Sequence, residues 1–228
     1  TAVGYRALDA LTSGQYNVAV GSNALGGCQT GNNNTAMGTS ALLAATGANN
    51  TAVGYSAGIA ISTGTDNTLI GANAGDELLT GIQNVAVGGQ ALTNANNTES
   101  RNTAVGYAAL YSMDGDTQHT YNTALGYNAG YTMTTGIQNT FLGAQAAAGG
   151  AVTGDKNTCV GYFSGYAVVG GQYNVTMGSN TANSLTEGDA NVIIGFNAGQ
   201  TLTTSAYNVL VGKSAGASIA AGQTDTNG

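Results

Sequence analysis

The sequence predicts an all-β fold, a parallel β-solenoid (β-roll or β-helix) of about 17-residue coils over residues 1–228. Three observations predict it. The motif Asn-[Thr/Val]-x-[aliphatic]-Gly returns about every 17 residues along the whole chain. The residue before each motif glycine is aliphatic or Met, and the residue two earlier is only Thr or Val. Glycine numbers 37 and proline is absent, with no Gly-x-y triplet of the collagen kind. A fixed period this short means stacked copies of one supersecondary unit, each burying its face against its neighbours.

The element that repeats is a short strand. Thr and Val suit a pleated surface, and residues at i and i+2 share a side of a strand. The two flanking columns, such as Val18 and Val20 or Thr51 and Val53, are therefore expected inside the coil. The column between them, Ala19, Ala36, Ala52, Leu69, Ala86, Ala104, Ala124, Phe141, Cys159, Ile193 and Leu210 with Thr176 as its polar copy, is then expected outside. An apolar outward stripe is too large to leave in water, which predicts a lateral seam between chains. Burial of both faces within one chain is the alternative. On the seam reading, Ala104→Asp disrupts assembly far more than a change at Asn128.

The asparagine column consists of Asn17, Asn34, Asn50, Asn67, Asn84, Asn102, Asn122, Asn139, Asn157, Asn174, Asn191 and Asn208. It marks a turn into each strand, because Asn tolerates left-handed backbone and bonds nearby main-chain groups. Stacked copies are also placed to bond one another along the axis. The motif glycine ends each strand with a bend. Three residues later a small column, from Ala7 and Ala24 to Ala198 and Ala215, predicts a second, tightly packed strand. Turns such as Thr63-Gly64-Thr65-Asp66 return the chain to the next Asn.

Composition excludes several functions. Charged residues are 7% and the net charge is −7, with only Arg6, Arg101, Lys156 and Lys213 positive. Scattered cations do not neutralise a phosphate backbone, so nucleic acid is not an expected partner. No apolar run approaches the roughly 20 residues of a membrane helix, and no membrane insertion is expected. Cys28 and Cys159 lie eight coils apart, about 38 Å at about 4.8 Å per coil, far beyond a disulfide. Two free thiols are expected, an interchain bond being the alternative. The chain opens inside a motif at Thr1 and closes on Asn227-Gly228, near where the next copy is expected. It therefore reads as an excerpt of a longer array.

Segments such as Asn102-Thr103-Ala104-Val105-Gly106-Tyr107-Ala108-Ala109-Leu110 resemble the Asn-Thr-Ala-[Val/Ile]-Gly-Tyr-x-Ala-Leu repeats of phage tail fibres and related bacterial surface fibres. In that group the shaft often precedes a self-cleaving endosialidase-type chaperone. The pattern is also similar to the repeat in the heads of trimeric autotransporter adhesins, a left-handed parallel β-roll with a shorter coil. The resemblance covers essentially the whole chain. It implies a homotrimer, an extracellular place on a virion tail fibre or cell surface, and a structural shaft supporting host or receptor attachment. An adhesin head binding glycan or matrix directly is the alternative it leaves.

Chemistry has few places to reside. The longest intervals hold Thr93–Arg101 and Tyr111–Thr120, the second with the only histidine, His119, and an Asp114-x-Asp116 pair. An EF-hand's remaining oxygen ligands and closing Glu are missing, so a solvated turn is expected and no metal or cofactor. Asp76/Glu77, Asp114/Asp116 and Glu187/Asp189 are near neighbours in turns, not carboxylates opposed across a sugar, and no catalytic residue is expected. Candidate contacts to a cell-surface glycan or protein receptor are Tyr107, Tyr127 and Tyr162 directly after the motif glycine, Tyr111, Tyr131 and Tyr166 four residues further on, and His119. Packing between coils is the competing role for these rings. An ice-binding solenoid is a remote third reading, opposed by a threonine column that shares its place with Val and is expected to face inward.

Overall fold

The computed structural model describes residues 1–94, 98–113, 120–217 and 219. It forms a parallel β-solenoid of about twelve turns, with no helix among the described residues. The chain divides into two compact units, Thr1–Thr120 and Tyr121–Gly228. The boundary falls in the longest interval between motif glycines, Gly106 to Gly126.

The first unit stacks seven strands: β1 (Ala2–Val3), β2 (Val18–Val20), β3 (Thr35–Met37), β4 (Thr51–Val53), β5 (Thr68–Ile70), β6 (Val85–Val87) and β7 (Thr103–Val105). The second stacks six: β8 (Thr123–Leu125), β9 (Thr140–Leu142), β10 (Thr158–Val160), β11 (Val175–Met177), β12 (Val192–Ile194) and β13 (Val209–Val211). Within each unit every strand pairs in parallel with the next coil's strand, motif position to motif position. Ala19 lies beside Ala36 and Ala36 beside Ala52, while Phe141 lies beside Cys159 and Cys159 beside Thr176.

The strand faces the opposite way from the sequence expectation. The middle column is the core: Ala19, Ala36, Ala52, Leu69, Ala86 and Ala104 in the first unit, and Ala124, Phe141, Cys159 and Ile193 in the second, expose no surface. Leu210 is half-buried and packs on the cluster of Val168, Ala182, Leu185, Ile193, Ala198 and Leu202. These residues form no seam between chains, and the flanking Thr/Val and aliphatic columns face outward instead. The reason is room. A coil closed by tight turns admits one side chain from each three-residue strand, and the other two must point out. Ala104→Asp therefore buries a charge inside a coil, so it tests folding, not assembly.

Nor is the small column after the motif glycine a second strand. Ala24 and Ala41 are buried in turns, their N–H groups donating back to Gly21 and Gly38 at 3.4 and 3.3 Å. Left-handed residues on both sides curl the chain there, for example Asn23 (φ 57°) and Leu25 (φ 50°). A third left-handed position precedes each motif asparagine, as at Tyr16 (φ 59°). Non-glycine residues in this region cost roughly 1–2 kcal/mol each, and most for β-branched side chains. Among the described non-glycine residues with positive φ there is no Val, Ile or Thr. The β-branched residues occupy strands, turns and core positions where φ is not left-handed. Gly21 (φ 131°) adopts a conformation that L side chains rarely take, and an added Cβ would sit 2.6 Å from the Gly38 carbonyl oxygen of the next coil.

Two further core columns complete the interior. Seven residues after the motif glycine stand Cys28, Ala45, Ile61 and Leu78, then Met133, Val168, Leu185 and Leu202, all buried. Four residues after it stand Leu25, Leu42 and Leu92, or glycine as at Gly75, Gly165 and Gly199. This last column is matched in size to the strand centre. Ala19, Ala36 and Ala86 accompany leucine, whereas Leu69, Cys159 and Ile193 accompany glycine. An added Cβ on Gly75 meets Leu69 Cδ2 at 2.8 Å, and one on Gly199 meets Ile193 Cγ2 at 2.9 Å. Ala52 breaks the pairing with Gly58, and there Leu69 and Leu42 from the adjoining coils fill the gap, at 2.7 and 3.0 Å from a Cβ built on Gly58.

The asparagine ladder bonds as the sequence predicts, and more completely. Asn17 Oδ1 accepts the Asn34 main-chain N–H at 2.8 Å, while Asn17 Nδ2 donates to the Gly31 carbonyl at 2.7 Å. Asn34 repeats this with Asn50 N–H and the Gly47 carbonyl, both at 2.8 Å. Every motif asparagine is buried. In the second unit the same pair of bonds runs from Asn139 to Asn157 N–H at 2.8 Å and to the Gly154 carbonyl at 2.9 Å. In the long interval Thr120 Oγ1 donates to Asn102 Oδ1 at 2.7 Å. Turn hydroxyls add rungs, as where Thr46 Oγ1 donates to the Ser62 carbonyl and Ser62 Oγ to that of Leu79, each at 2.9 Å.

Two predictions follow from this packing. Asn67→Ala strands the Asn84 N–H and the Gly81 carbonyl together, and chemical denaturation should show a loss of about 2–5 kcal/mol. Gly75→Leu overpacks the coil, at a cost of about 1–3 kcal/mol, but combined with Leu69→Ala it should recover much of that loss. Additive effects in this double-mutant cycle would disprove the size matching.

Candidate functional site

With the strand centres inside, the outer sheet face is the most regular surface of each unit. It carries two in-register ranks and no charged side chain in any strand. One rank is Thr or Val: Val18, Thr35, Thr51, Thr68, Val85 and Thr103 in the first unit, Thr123, Thr140, Thr158, Val175, Val192 and Val209 in the second. The other is purely apolar, with Met37 45% exposed, Ile70 39%, Leu125 46% and Leu142 42%. Strands stack at about 4.8 Å, so each rank is a row of closely spaced side chains. The threonines face outward, contrary to the inward orientation expected of them, although Val still shares their column. The apolar rank, however, steps between Val, Met, Ile and Leu and is uneven in height.

The tyrosines separate into three columns. Tyr107, Tyr127 and Tyr162, with Tyr5, Tyr55 and Phe196, follow the motif glycine and are all exposed, from 49% at Phe196 to 70% at Tyr5. Their backbone is held by coil-to-coil rungs, such as Asn180 N–H to the Tyr162 carbonyl at 2.9 Å. Tyr107 Oη also lies 2.6 Å from Gln90 Oε1, to which it donates, with its ring beside Gly89. Tyr111, Tyr131 and Tyr166 are half-buried. Tyr166 lies so close over Gly149 that no Cβ fits there. It touches Phe163 edge-on at 4.8 Å, and Phe163 in turn props Tyr162 at 4.4 Å and 81°. The structure thus joins Tyr162 and Tyr166 through Phe163. His119, Asp114 and Asp116 lie outside the described residues.

The third column was missed by sequence reasoning: Tyr16, Tyr121, Tyr173 and Tyr207 precede the motif asparagine in left-handed backbone and are exposed. Lys156 Nζ stands 4.9 Å from the Tyr173 ring centre and 3.2 Å from its hydroxyl. The signal was available, because each of these tyrosines occupies the same motif position.

Carboxylates are spent locally. Asp189 Oδ1 accepts the Gln172 N–H at 2.7 Å and Asp155 Oδ1 the Ile137 N–H at 2.9 Å. No group of three or more His, Cys, Asp or Glu among the described residues is placed to hold a metal ion. Cys28 and Cys159 are free and buried, and burial raises both thiols, that of Cys159 to about 11. Neither sulfur is reachable by a partner chain while its coil is folded.

Asp76 is a carboxyl held well out of its ordinary range. Burial, with the Glu77 charge beside it, raises its pKa from 3.8 to about 6, and its Oδ1 has no hydrogen-bond partner. A raised folded-state value means that the folded chain holds the proton more tightly, so stability falls as pH rises from about 4 to 6. Because the residue is only partly enclosed, solvent screening reduces the effect to on the order of 1 kcal/mol. Asp76→Asn should raise the melting temperature at pH 7 and flatten the pH dependence between 4 and 6, as read by thermal melts across that window. No protein-family model, no curated protein and no solved structure matches the chain, so the geometry of these faces is what bears on function.

Proposed function

We propose that the chain is a non-enzymatic structural repeat, a fibre-shaft segment that associates with further copies of itself through the outer sheet face. The observation that carries this reading is the uncharged double rank on that face, apolar along one side and exposed in the single chain. A contiguous apolar surface of this extent calls for cover. A second copy has the same coil pitch and so keeps side chains in step along the contact. The resemblance of the repeats to phage tail-fibre and surface-fibre shafts favours three copies and an extracellular place on a virion or cell. There the shaft holds a receptor-binding element away from the surface. An adhesin head that binds glycan or matrix directly shares the same architecture and differs in whether the shaft itself carries a binding site.

Ice binding has one observation in its favour, the outward threonine rank, and the uneven apolar rank beside it against. A thermal hysteresis assay separates it from the shaft reading.

The mass of the chain in solution, measured by light scattering on a size-exclusion column, tests self-association. A multimer is expected, with three copies the favoured number. Leu142→Asp together with Met177→Asp should yield a monomer of unchanged circular dichroism, because both side chains point outward. Ala124→Asp should instead lose the β signal of the second unit. A wild-type monomer would sink the proposal.

A further inference from the structure

The aromatic column after the motif glycine has a pattern in the second unit that a shaft does not require. Its successive members are Tyr127, Ala144, Tyr162, Ser179, Phe196 and Lys213. Rings therefore stand on alternate coils, 54%, 52% and 49% exposed, with a small half-buried residue between them. The spacing is fixed by main chain. The Gln145 N–H donates to the Tyr127 carbonyl at 2.8 Å, Phe163 to Ala144 at 3.2 Å, Asn180 to Tyr162 at 2.9 Å and Asn197 to Ser179 at 3.1 Å. Two coils at about 4.8 Å set the rings about 9.6 Å apart. Phe163, edge-on to Tyr162 at 4.4 Å, fixes the middle ring. Beside each gap sits an amide, Gln145 next to Ala144 and Asn180 next to Ser179.

We propose that this edge binds an extended, neutral β-1,4-linked hexose polysaccharide, seating every second sugar on Tyr127, Tyr162 and Phe196. Aromatic faces take the C–H face of a pyranose ring, and amides both donate to and accept from hydroxyls. In a β-1,4 chain successive sugars are turned over, so the same face recurs once per disaccharide. That repeat is close in length to two coils of this solenoid. From Tyr127 to Phe196 the column carries no charge, which suits a neutral polymer. A helical α-linked chain does not keep its sugar faces on one straight line and fails to reach successive rings. The three weak contacts act together, so affinity rises with chain length. Light scattering reports self-association and ligand titration reports binding at this edge, so the two readings fail separately.

The test is calorimetric titration of the full chain with cellohexaose and chitohexaose, with maltohexaose as the helical control. At least one β-1,4 hexaose should bind saturably and maltohexaose should not. Tyr162→Ala and Phe196→Ala should each weaken binding at least tenfold with unchanged circular dichroism, while Tyr16→Ala leaves it unaltered. Ser179→Tyr is the decisive variant. It adds an aromatic ring but breaks the two-coil spacing, and it should weaken binding. Failure of both β-1,4 hexaoses to bind, equal binding of maltohexaose, equal loss with Tyr16→Ala, or tighter binding by Ser179→Tyr would each overturn the proposal.

Discussion

The buried asparagine ladder is the interaction on which the rest of each unit depends. A coil about 17 residues long has few apolar side chains to bury, and a strand of three residues offers few ladder bonds. The asparagine closes the main chain at the strand entrance, where three polar groups meet inside the coil. Its amide satisfies the N–H of the next asparagine and the carbonyl three residues before it, as Asn34 does for Asn50 and Gly47. Left without such partners, those groups would each cost about 1–3 kcal/mol. The same bonds fix the register, because a slip by one residue would leave every amide facing the wrong main-chain group. Strand centres, turns and outer ranks then align without further instruction.

Around that ladder the interior is filled by trading volume. Alanine at a strand centre goes with leucine four residues past the glycine, save at Ala52 and Ala124, which accompany Gly58 and Gly130, and a large centre goes with glycine or alanine there. Phe141 shows the extreme. Its partner is Ala147, and the preceding coil offers Ala124 and Gly130. Interiors this narrow respond to a single methylene, because no second layer exists to absorb the change. Left-handed turn positions make the narrow coil possible. The sequence accommodates them by keeping β-branched residues elsewhere, and by using no proline in a chain whose main-chain N–H groups are so widely engaged between coils.

The period, the parallel stacking and the asparagine bonding were legible in the sequence, because each depends on a residue type with few alternatives at its position. The orientation of the strand was not. A Thr-Ala-Val triplet alternates equally well in either sense, and the larger β-branched pair looked like the interior. What decides the matter is the cross-section, set by turns whose left-handed backbone no residue in the motif announces. The size matching between Leu69 and Gly75, or Ala36 and Leu42, was the readable clue, since only residues that share a core compensate one another. Tyr162 and Tyr166 were legible as candidate contacts, but their link through Phe163 was not, because it arises from left-handed backbone at Phe163. The tyrosines before the motif asparagine were obscured by the variety of their column.

The asparagine ladder also has a direction. Within each unit the amide Oδ1 accepts the following coil's N–H and Nδ2 donates to that coil's carbonyl, and at Asn67, Asn84, Asn174 and Asn191 Nδ2 also reaches back to the preceding asparagine's Oδ1. An array built this way has two chemically different faces at its ends. One offers side-chain amides awaiting a main chain, and the other offers a main chain awaiting amides. A capping element that closes one end therefore cannot close the other, and coils join such a stack in one orientation only. The polarity of each stack of coils is written into a single side chain repeated once per turn.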